Sequence, residues 1–339
     1  MSATRATLSD VALQAGVSIP TVSKVLNGRG DVSESTRARV YEAMSSTGYL
    51  TRSSPSRDRN RVIDLVIDGI GSPWALEVLR GAEAAASRRG ASVVITTTTN
   101  GSFTMKGWLS NIAARRSDGV VFVLSRADHE ELEALARLRT PVVLLDPVGE
   151  SDPGLATVGA TNWAGGFSAT EHLLGLGHRR IGFIGGPPEL ECSHQRFEGY
   201  SAALRRAGIE TDAELITHGL FLTQGGHDGG AKLLDLAEPP TAIFASSDLQ
   251  AAGVYEAARE RDVKIPSELS VVGFDDTALC NYLSPALTSV RQPLAEMASE
   301  AIRLVLQRDG DATAGHRIEM ATSLVVRRST QAPADAPRR

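Results

Sequence analysis

The sequence predicts a small all-α head followed by a two-lobed α/β domain in which each lobe is a doubly wound parallel sheet. Two observations predict this fold class. Residues 8–46 carry helix caps and apolar residues at helical spacing. From residue 61 onward, short apolar runs alternate with Ala-rich helical stretches, as in parallel βαβ units whose strands are buried on both faces. The runs form two successive series, which indicates two subdomains with a cleft between them.

Three helices are predicted in the head. Thr7 is placed to cap the first helix, with Asp10 three positions on in a capping-box arrangement. Gly16 ends that helix, Ser18 caps the second and Ser33 caps the third. The predicted bounds are 19–26 for the second helix and about 34–46 for the third.

The first two helices have the form of a helix-turn-helix unit, whose second helix enters the DNA major groove. Any αα-hairpin shows two caps and a glycine, so the spacing alone leaves a plain hairpin open. The polar side of the second helix favours DNA, because short hydroxyl and amide groups and one long cation suit phosphate oxygens. These residues are Ser18, Thr21, Ser23, Lys24 and Asn27.

Residues 8–27 closely resemble the DNA-binding head of the LacI family of bacterial transcription regulators. Those heads typically read D-V-A-x-x-A-G-V-S-x-x-T-V-S-R-V-L-N, and here only Lys24 departs, standing where Arg is usual. The resemblance continues through residues 32–40 and Gly48-Tyr49, and later motifs extend it to about residue 330. It implies a DNA-binding regulator whose second domain is similar to a type I periplasmic sugar-binding protein.

The resemblance also implies the domain boundaries. We expect a helix-turn-helix head, a linker, an effector-binding and dimerisation domain of two lobes, and a disordered tail rich in Ala and Pro. The expected ranges are 1–50 for the head, 51–61 for the linker, 62–330 for the effector domain and 331–339 for the tail. Within the effector domain, lobe one is expected at about 62–160 and 291–320. Lobe two is expected at about 161–290 and 321–330, with its last strand at 322–326.

Charge is unevenly distributed along the chain. The net charge is −5, yet residues 1–61 hold nine Lys or Arg and five Asp or Glu, for +4, which leaves −9 for the remainder. A basic head on an acidic body directs only the head towards phosphate. Two cysteines, no membrane-length apolar run and no apolar signal-peptide core predict a cytosolic protein with no membrane contact.

The usual signatures of enzymes are missing. There is no G-x-G-x-x-G after a strand, no Walker A loop, no G-x-S-x-G elbow and no H-E-x-x-H. Cys192 and His194 make only two potential ligands, short of a closed zinc site. We therefore expect no catalytic residues, no metal and no cofactor.

The first residues of a recognition helix face base edges. Ile19 and Pro20 can offer apolar contact to thymine methyls, although Pro20 can equally serve to stiffen the helix start. Lys24 can reach a guanine O6 or N7, or alternatively a phosphate. One small head buries too little surface for tight binding, so we expect paired heads and a palindromic operator.

The linker departs from the family pattern. Members usually carry a hinge helix whose Leu wedges into the minor groove, but residues 51–61 contain no Leu and Pro55 interrupts any helix. Arg52 and Arg57, with Arg59, are candidates to track phosphates or enter a narrow minor groove. A solvated tether is the alternative.

Polar and aromatic residues follow the predicted strands, where doubly wound proteins bind ligands. The resemblance assigns them to an effector site in which carboxylates accept hydrogen bonds from hydroxyls, Arg and amides donate, and aromatic rings form walls. Trp74 is also open to a role in lobe packing, and Asp146 to one as an N-cap or lobe contact. The candidates are Trp74, Asp146, Asn162, Arg196, Phe221, Asp248, Asp275 and Gln292.

These features together predict a homodimeric transcription repressor that binds double-stranded operator DNA and is released by a neutral mono- or disaccharide. One alternative is a regulator whose ligand acts as corepressor. Another is a sugar-binding or enzymatic α/β protein. A carrier would need no helix-turn-helix, and an enzyme would need the chemistry that is missing.

Overall fold

The structure, a computed structural model, describes residues 7–26, 32–47, 61–99, 104–123, 133–135, 137, 140–147, 154–307 and 315–334. The chain forms two compact units, residues 1–60 and 61–339, and each is described by itself. Within the described residues, no helix is both long and apolar enough to cross a membrane.

The described part of the first unit consists of α1 (Leu8–Ala15), α2 (Ile19–Leu26) and α3 (Glu34–Thr47). Gly16 ends α1 in left-handed backbone with φ 63°, a conformation that costs glycine little. The Ser18 hydroxyl accepts a hydrogen bond from the backbone N–H of Thr21 at 3.3 Å, which caps α2 as expected. The three helices lie within one residue of their predicted bounds.

The cap of α1 is the predicted box with one additional hydrogen bond. The Asp10 carboxylate accepts the Thr7 backbone N–H at 2.7 Å, but it also accepts the Thr7 hydroxyl at 2.7 Å. Both halves of the predicted capping box are present, since the Thr7 side chain also faces the backbone N–H of Asp10. Both hydrogen bonds lower the pKa of Asp10, because they favour its ionised form.

A small core joins the three helices. Val11 of α1, Val22 and Val25 of α2, and Val40 of α3 are almost completely buried in one cluster. Because Val22 and Val25 are three residues apart, they share one face of α2 and leave the opposite face to solvent.

The second unit begins at Arg61 and alternates strands with helices. Its strands are β1 (Arg61–Ile67), β2 (Ala91–Thr97), β3 (Gly119–Val123), β4 (Val142–Leu145), β5 (Ala156–Ala160), β6 (Ile181–Gly185), β7 (Ile216–His218), β8 (Ala242–Ala245), β9 (Ser270–Asp275), β10 (Thr288–Arg291), β11 (Arg317–Met320) and β12 (Ser323–Val325). Its helices are α4 (Pro73–Ser87), α5 (Met105–Arg115), α6 (Asn162–Gly175), α7 (Glu191–Arg206), α8 (Thr223–Leu234), α9 (Asp248–Glu260), α10 (Leu279–Tyr282) and α11 (Leu294–Val305).

These strands form two sheets with matching topology. The first has the order β11-β5-β4-β3-β1-β2 and the second β12-β10-β9-β8-β6-β7. All pairs are parallel except β10 with β12. The strand order reverses beside β1 in one sheet and beside β6 in the other, so each lobe is doubly wound, in agreement with the predicted fold class.

The chain passes between the two sheets three times. The crossings fall between β5 and α6, between β10 and α11, and between β11 and β12. The first and third are tied together, since the Thr161 hydroxyl accepts the Thr322 backbone N–H at 3.0 Å. Polar side chains beside the crossings are therefore placed to contact residues of either lobe.

The C-terminal segment is bound to the second sheet beyond the predicted boundary. The Gln331 carbonyl accepts hydrogen bonds from the Ser270 hydroxyl at 3.1 Å and lies 2.9 Å from Nε2 of His178. The expectation of disorder from residue 331 is thus wrong at Gln331, because the backbone there is held by buried polar groups. Residues 335–339 lie outside the described part of the chain.

Candidate functional sites

The exposed face of α2 carries the predicted DNA-contacting residues. Ser18, Ile19, Pro20 and Lys24 are exposed, while Thr21 and Ser23 are half-buried. Ile19 is a large apolar residue with 46% of its surface exposed, which suits a contact outside the head. Thr7 is exposed at the start of α1. The remaining predicted residues, Asn27, Arg52 and Arg57, lie outside the described residues.

A cavity of about 130 Å³ lies at the carboxyl ends of strands from both sheets of the second unit. Six of the eight predicted effector residues line it. They reach it from α4, from the ends of β4 and β9, from α7, from the segment after β7 and from the start of α9. The lining consists of Ser72, Pro73, Trp74, Asp146, Cys192, Arg196, Phe221, Ser247, Asp248, Leu249, Asp275 and Thr277.

Arg196 is the cation of this cavity and is 3% exposed. Its Nε donates to Oδ1 of Asn162 at 2.8 Å and its Nη1 to the Ser246 carbonyl at 2.6 Å. The guanidinium lies 3.8 Å from the ring centre of Phe274, a cation–π contact. No described residue accepts a hydrogen bond from Nη2, so this nitrogen remains available to a ligand in the cavity.

Close backbone packing positions Arg196. A Cβ on Gly166 of α6 would lie 2.3 Å from the Arg196 carbonyl oxygen, so only glycine allows α6 and α7 to approach this closely. A similar restriction positions Phe221, whose ring would lie 2.1 Å from a Cβ on Gly186. Neither glycine stands out in the sequence, because the contacts that require it come from residues far along the chain.

Two carboxylates face the cavity from strand ends. Asp146 is 5% exposed, and its Oδ2 makes no hydrogen bond to a described residue. Asp275 is 7% exposed, and its Oδ1 accepts a hydrogen bond from Nε2 of Gln292 at 2.7 Å. Both have positive φ, 51° and 114°, which a non-glycine residue keeps only where its surroundings enforce it. Backbone strain of this kind clusters at binding sites.

Asp248 lines the cavity, but its oxygens are already engaged. Oδ1 accepts the Ser289 hydroxyl at 2.6 Å, while Oδ2 accepts the Thr277 backbone N–H at 2.7 Å and its hydroxyl at 2.9 Å. The carboxylate therefore ties the start of α9 to β10 and to the segment after β9. This geometry favours an organising role over the ligand contact expected from the sequence.

Asn162 and Gln292 do not line the cavity. Asn162 is the first residue of α6 at the first crossing, and it holds Arg196. Gln292 follows β10 at the second crossing, and it holds Asp275. Each amide thus bonds to a cavity residue, and a direct contact of Asn162 or Gln292 with a ligand stays a prediction.

Burial dominates the electrostatics of the cavity. Desolvation raises the pKa of Asp146, against the opposing effect of the Arg196 charge. It raises the pKa of Asp248 to about 6, against the opposing hydrogen bonds from Ser289 and Thr277. The pKa of Asp275 is raised well above 3.8 by burial, again against Arg196. The Arg196 guanidinium therefore opposes the effect of burial at two carboxyl groups, Asp146 and Asp275.

Cys192 is a cavity residue that the sequence interpretation did not include. Burial, and then the nearby Asp146 charge, raise its pKa to about 12, so the thiol is protonated and contributes a small apolar surface. Within the described residues, no group of three or more His, Cys, Asp or Glu is placed to hold a metal ion.

A helix-turn-helix head in a chain whose second domain has two lobes and a cavity lined by charged and aromatic residues defines a class: DNA-binding regulators with a second domain of the ligand-binding type. Comparison with known families agrees. Residues 7–52 match the model of bacterial regulatory proteins of the lacI family, and residues 170–330 match a periplasmic binding protein-like domain. The HTH-type transcriptional repressor CytR of Escherichia coli strain K12 is 35% identical over 333 residues, which cover 97% of each protein. The chain belongs to the LacI family.

Two solved structures illustrate the similarity. A transcriptional regulator CelR–cellobiose complex has a TM-score of 0.73 and 32% identity, covering 96% of this chain and 100% of that one. The lac repressor dimer bound to operator and the anti-inducer ONPF has a TM-score of 0.82 and 25% identity, covering 97% and 100%. The chain is accordingly a DNA-binding transcriptional repressor of this family, and its relatives are regulators rather than enzymes.

Proposed function

We propose that the protein is a homodimeric repressor that binds a palindromic operator and is released by a small neutral sugar held in the cavity. The observation that carries the proposal is the set of unused polar groups at the cavity: Oδ2 of Asp146 and Nη2 of Arg196 have no partner among the described residues. An acceptor and a donor fixed in a buried space are suited to a ligand with hydroxyl groups.

The charges and walls of the cavity support a neutral polyol. An anionic ligand would meet the carboxyl groups of Asp146, Asp248 and Asp275 against the single guanidinium of Arg196. Trp74 and Phe221 offer aromatic surface to the apolar face of a sugar ring. The cavity volume of about 130 Å³ leaves room for a small ligand, and a mono- or disaccharide is the proposed class.

Pairing of heads is proposed on grounds of interface size. A head of three short helices presents too small a surface for tight specific binding, whereas two heads related by a two-fold axis would read two half-sites. The exposed face of α2, with Ile19, Pro20 and Lys24, is the proposed base-contacting surface. Sedimentation of the full chain with and without a palindromic DNA tests the dimer.

Fluorescence anisotropy tests the proposed response. Labelled DNA from upstream of the protein's own gene is titrated at one fixed salt concentration, because phosphate contacts make affinity steeply salt-dependent. The titration is repeated with D-glucose, D-ribose and cellobiose. Release of the DNA by one sugar supports an inducer. Tighter binding would instead support a corepressor, and no effect of any neutral sugar would refute the proposed ligand class.

A further inference from the structure

Asp276 is a buried carboxylate next to the cavity that does not line it. Its side chain is 2% exposed, and its Oδ2 accepts a hydrogen bond from Nε of Arg291 at 2.7 Å. Nη2 of Arg327 lies 2.7 Å from the other carboxylate oxygen, an ion pair whose geometry is not that of a hydrogen bond. The backbone N–H of Asp276 donates to the Ser289 hydroxyl at 3.1 Å. One carboxylate thus binds two guanidinium groups.

The two arginines come from strands that adjoin the lobe crossings. Arg291 is the last residue of β10, directly before Gln292, and Arg327 lies two residues beyond β12, which follows the third crossing. Asp276 therefore joins the end of β9 to both of these strands. A planar guanidinium fixes the orientation of a carboxylate more strictly than a single hydrogen bond does.

The backbone around Asp276 needs such a restraint. Asp275 and Asp276 are consecutive residues with positive φ, 114° and 55°. Non-glycine residues stay in this region only where surrounding contacts over-determine them. Thr277 is held by Asp248 at 2.7 Å and Asp275 by Gln292 at 2.7 Å, so Asp276 is the middle of three anchored residues.

We propose that Asp276 is a positioning residue for the effector site: its two ion pairs hold residues 275–277 in their strained backbone and so aim the Asp275 carboxylate into the cavity. The proposal rests on the proposed function only in treating Asp275 as a ligand contact. Net stabilisation is a weak explanation for such a cluster, because the cost of desolvating buried charges offsets much of their attraction.

The test is the crystal structure of the ligand-free Asp276→Asn variant beside that of the wild type. Asn has nearly the same shape and tolerates left-handed backbone, so the change removes the charge and replaces one acceptor oxygen by an NH2 donor. We expect loss of the 2.7 Å contact between Gln292 and Asp275, with the Asp275 carboxylate turned away from the cavity. An unchanged Asp275 geometry would overturn the proposal.

Asp64→Asn is the matched control. Asp64 is also fully buried and binds Arg115 and Ser117, but it lies in β1 of the other sheet and does not line the cavity. Both variants are expected to lower the melting temperature, and only Asp276→Asn is expected to move Asp275. If both leave Asp275 in place and merely lower the melting temperature, Asp276 is a stability residue.

Arg291→Gln is the second variant, for the case that Asp276→Asn does not fold. The Arg291 side chain is 55% exposed, so its replacement is milder, and we expect a smaller displacement of Asp275 in the same direction. The crystal structures and melting temperatures of these variants are measured without ligand. If no sugar binds, the proposed function is refuted, but the structures still show whether Asp276 positions Asp275.

Discussion

Asp275→Asn separates effector binding from stability. Asp275 is 7% exposed at the end of β9, where it accepts a hydrogen bond from Gln292 and lines the cavity beside Arg196. Asn keeps the size of the side chain and can still bond to Gln292 through its oxygen. The change removes the negative charge and one acceptor that would face a sugar hydroxyl.

The size of the expected effect follows from that lost acceptor. A hydrogen bond to a charged group contributes about 1.5–3 kcal/mol. Since 1.4 kcal/mol corresponds to a tenfold change in affinity, the sugar affinity should fall by about 10- to 140-fold. The measurement is isothermal titration of the wild type and the variant with whichever sugar releases the operator DNA.

Stability should move in the opposite direction. Because burial raises the pKa of Asp275 above its value in the unfolded chain, the folded protein binds this proton more tightly. The stability that the protonated carboxyl provides is complete below pH 3.8 and is lost as the pH rises through the raised pKa. Asn avoids that loss, so at pH 8 the variant should melt at the same temperature as the wild type or higher.

A sugar affinity within twofold of the wild type would refute the assignment of Asp275 as a ligand contact. A large loss of melting temperature at pH 8 would refute the electrostatic reasoning instead. Operator affinity without sugar serves as the control, since Asp275 belongs to the second unit and is not among the residues proposed to contact DNA.

Three further predictions follow from the same contacts. Arg196→Ala should abolish the effector response while operator affinity stays within twofold, and equal loss of both in anisotropy titrations would contradict separate sites. Lys24→Ala should weaken operator binding roughly tenfold with unchanged sugar affinity. If the slope of log affinity against log salt concentration falls by about 1, Lys24 contacts a phosphate. Normal operator affinity would remove Lys24 from the interface. Burial lowers the pKa of His178, so the stability it provides is present above pH 6.5 and is lost as the pH falls through the lowered pKa. Thermal melts of His178→Gln should therefore change less between pH 7.5 and 5.5 than wild-type melts, and equal changes would contradict this.

Local signals in the sequence were sufficient to predict the three helices of the head. A cap at Ser18, a left-handed glycine at Gly16 and apolar residues at helical spacing each act within a few residues, so they can be interpreted without tertiary information. The apolar runs 62–67, 142–145 and 269–274 likewise predicted β1, β4 and β9 to within about a residue, because strands buried on both faces must be continuously apolar.

The effector residues were only partly predictable. Strand ends and the family motifs indicated Arg196 and Asp275, and the structure brings both to one cavity. The sequence could not separate Asp248, whose oxygens are already engaged, from Asp146, whose Oδ2 has no partner among the described residues. Both are aspartates that follow an apolar run, and only their distant neighbours distinguish them.

The sequence by itself determined the class of this protein, because helix caps, apolar periodicity and a contiguous head motif are properties of neighbouring residues. The tertiary structure alone decided which polar groups face the cavity and which hold the wall behind it. Gln292 bonds to Asp275 across 17 positions, and Asn162 to Arg196 across 34. Whether a buried polar group faces a ligand or another side chain depends on which distant segments the packing brings within hydrogen-bond distance.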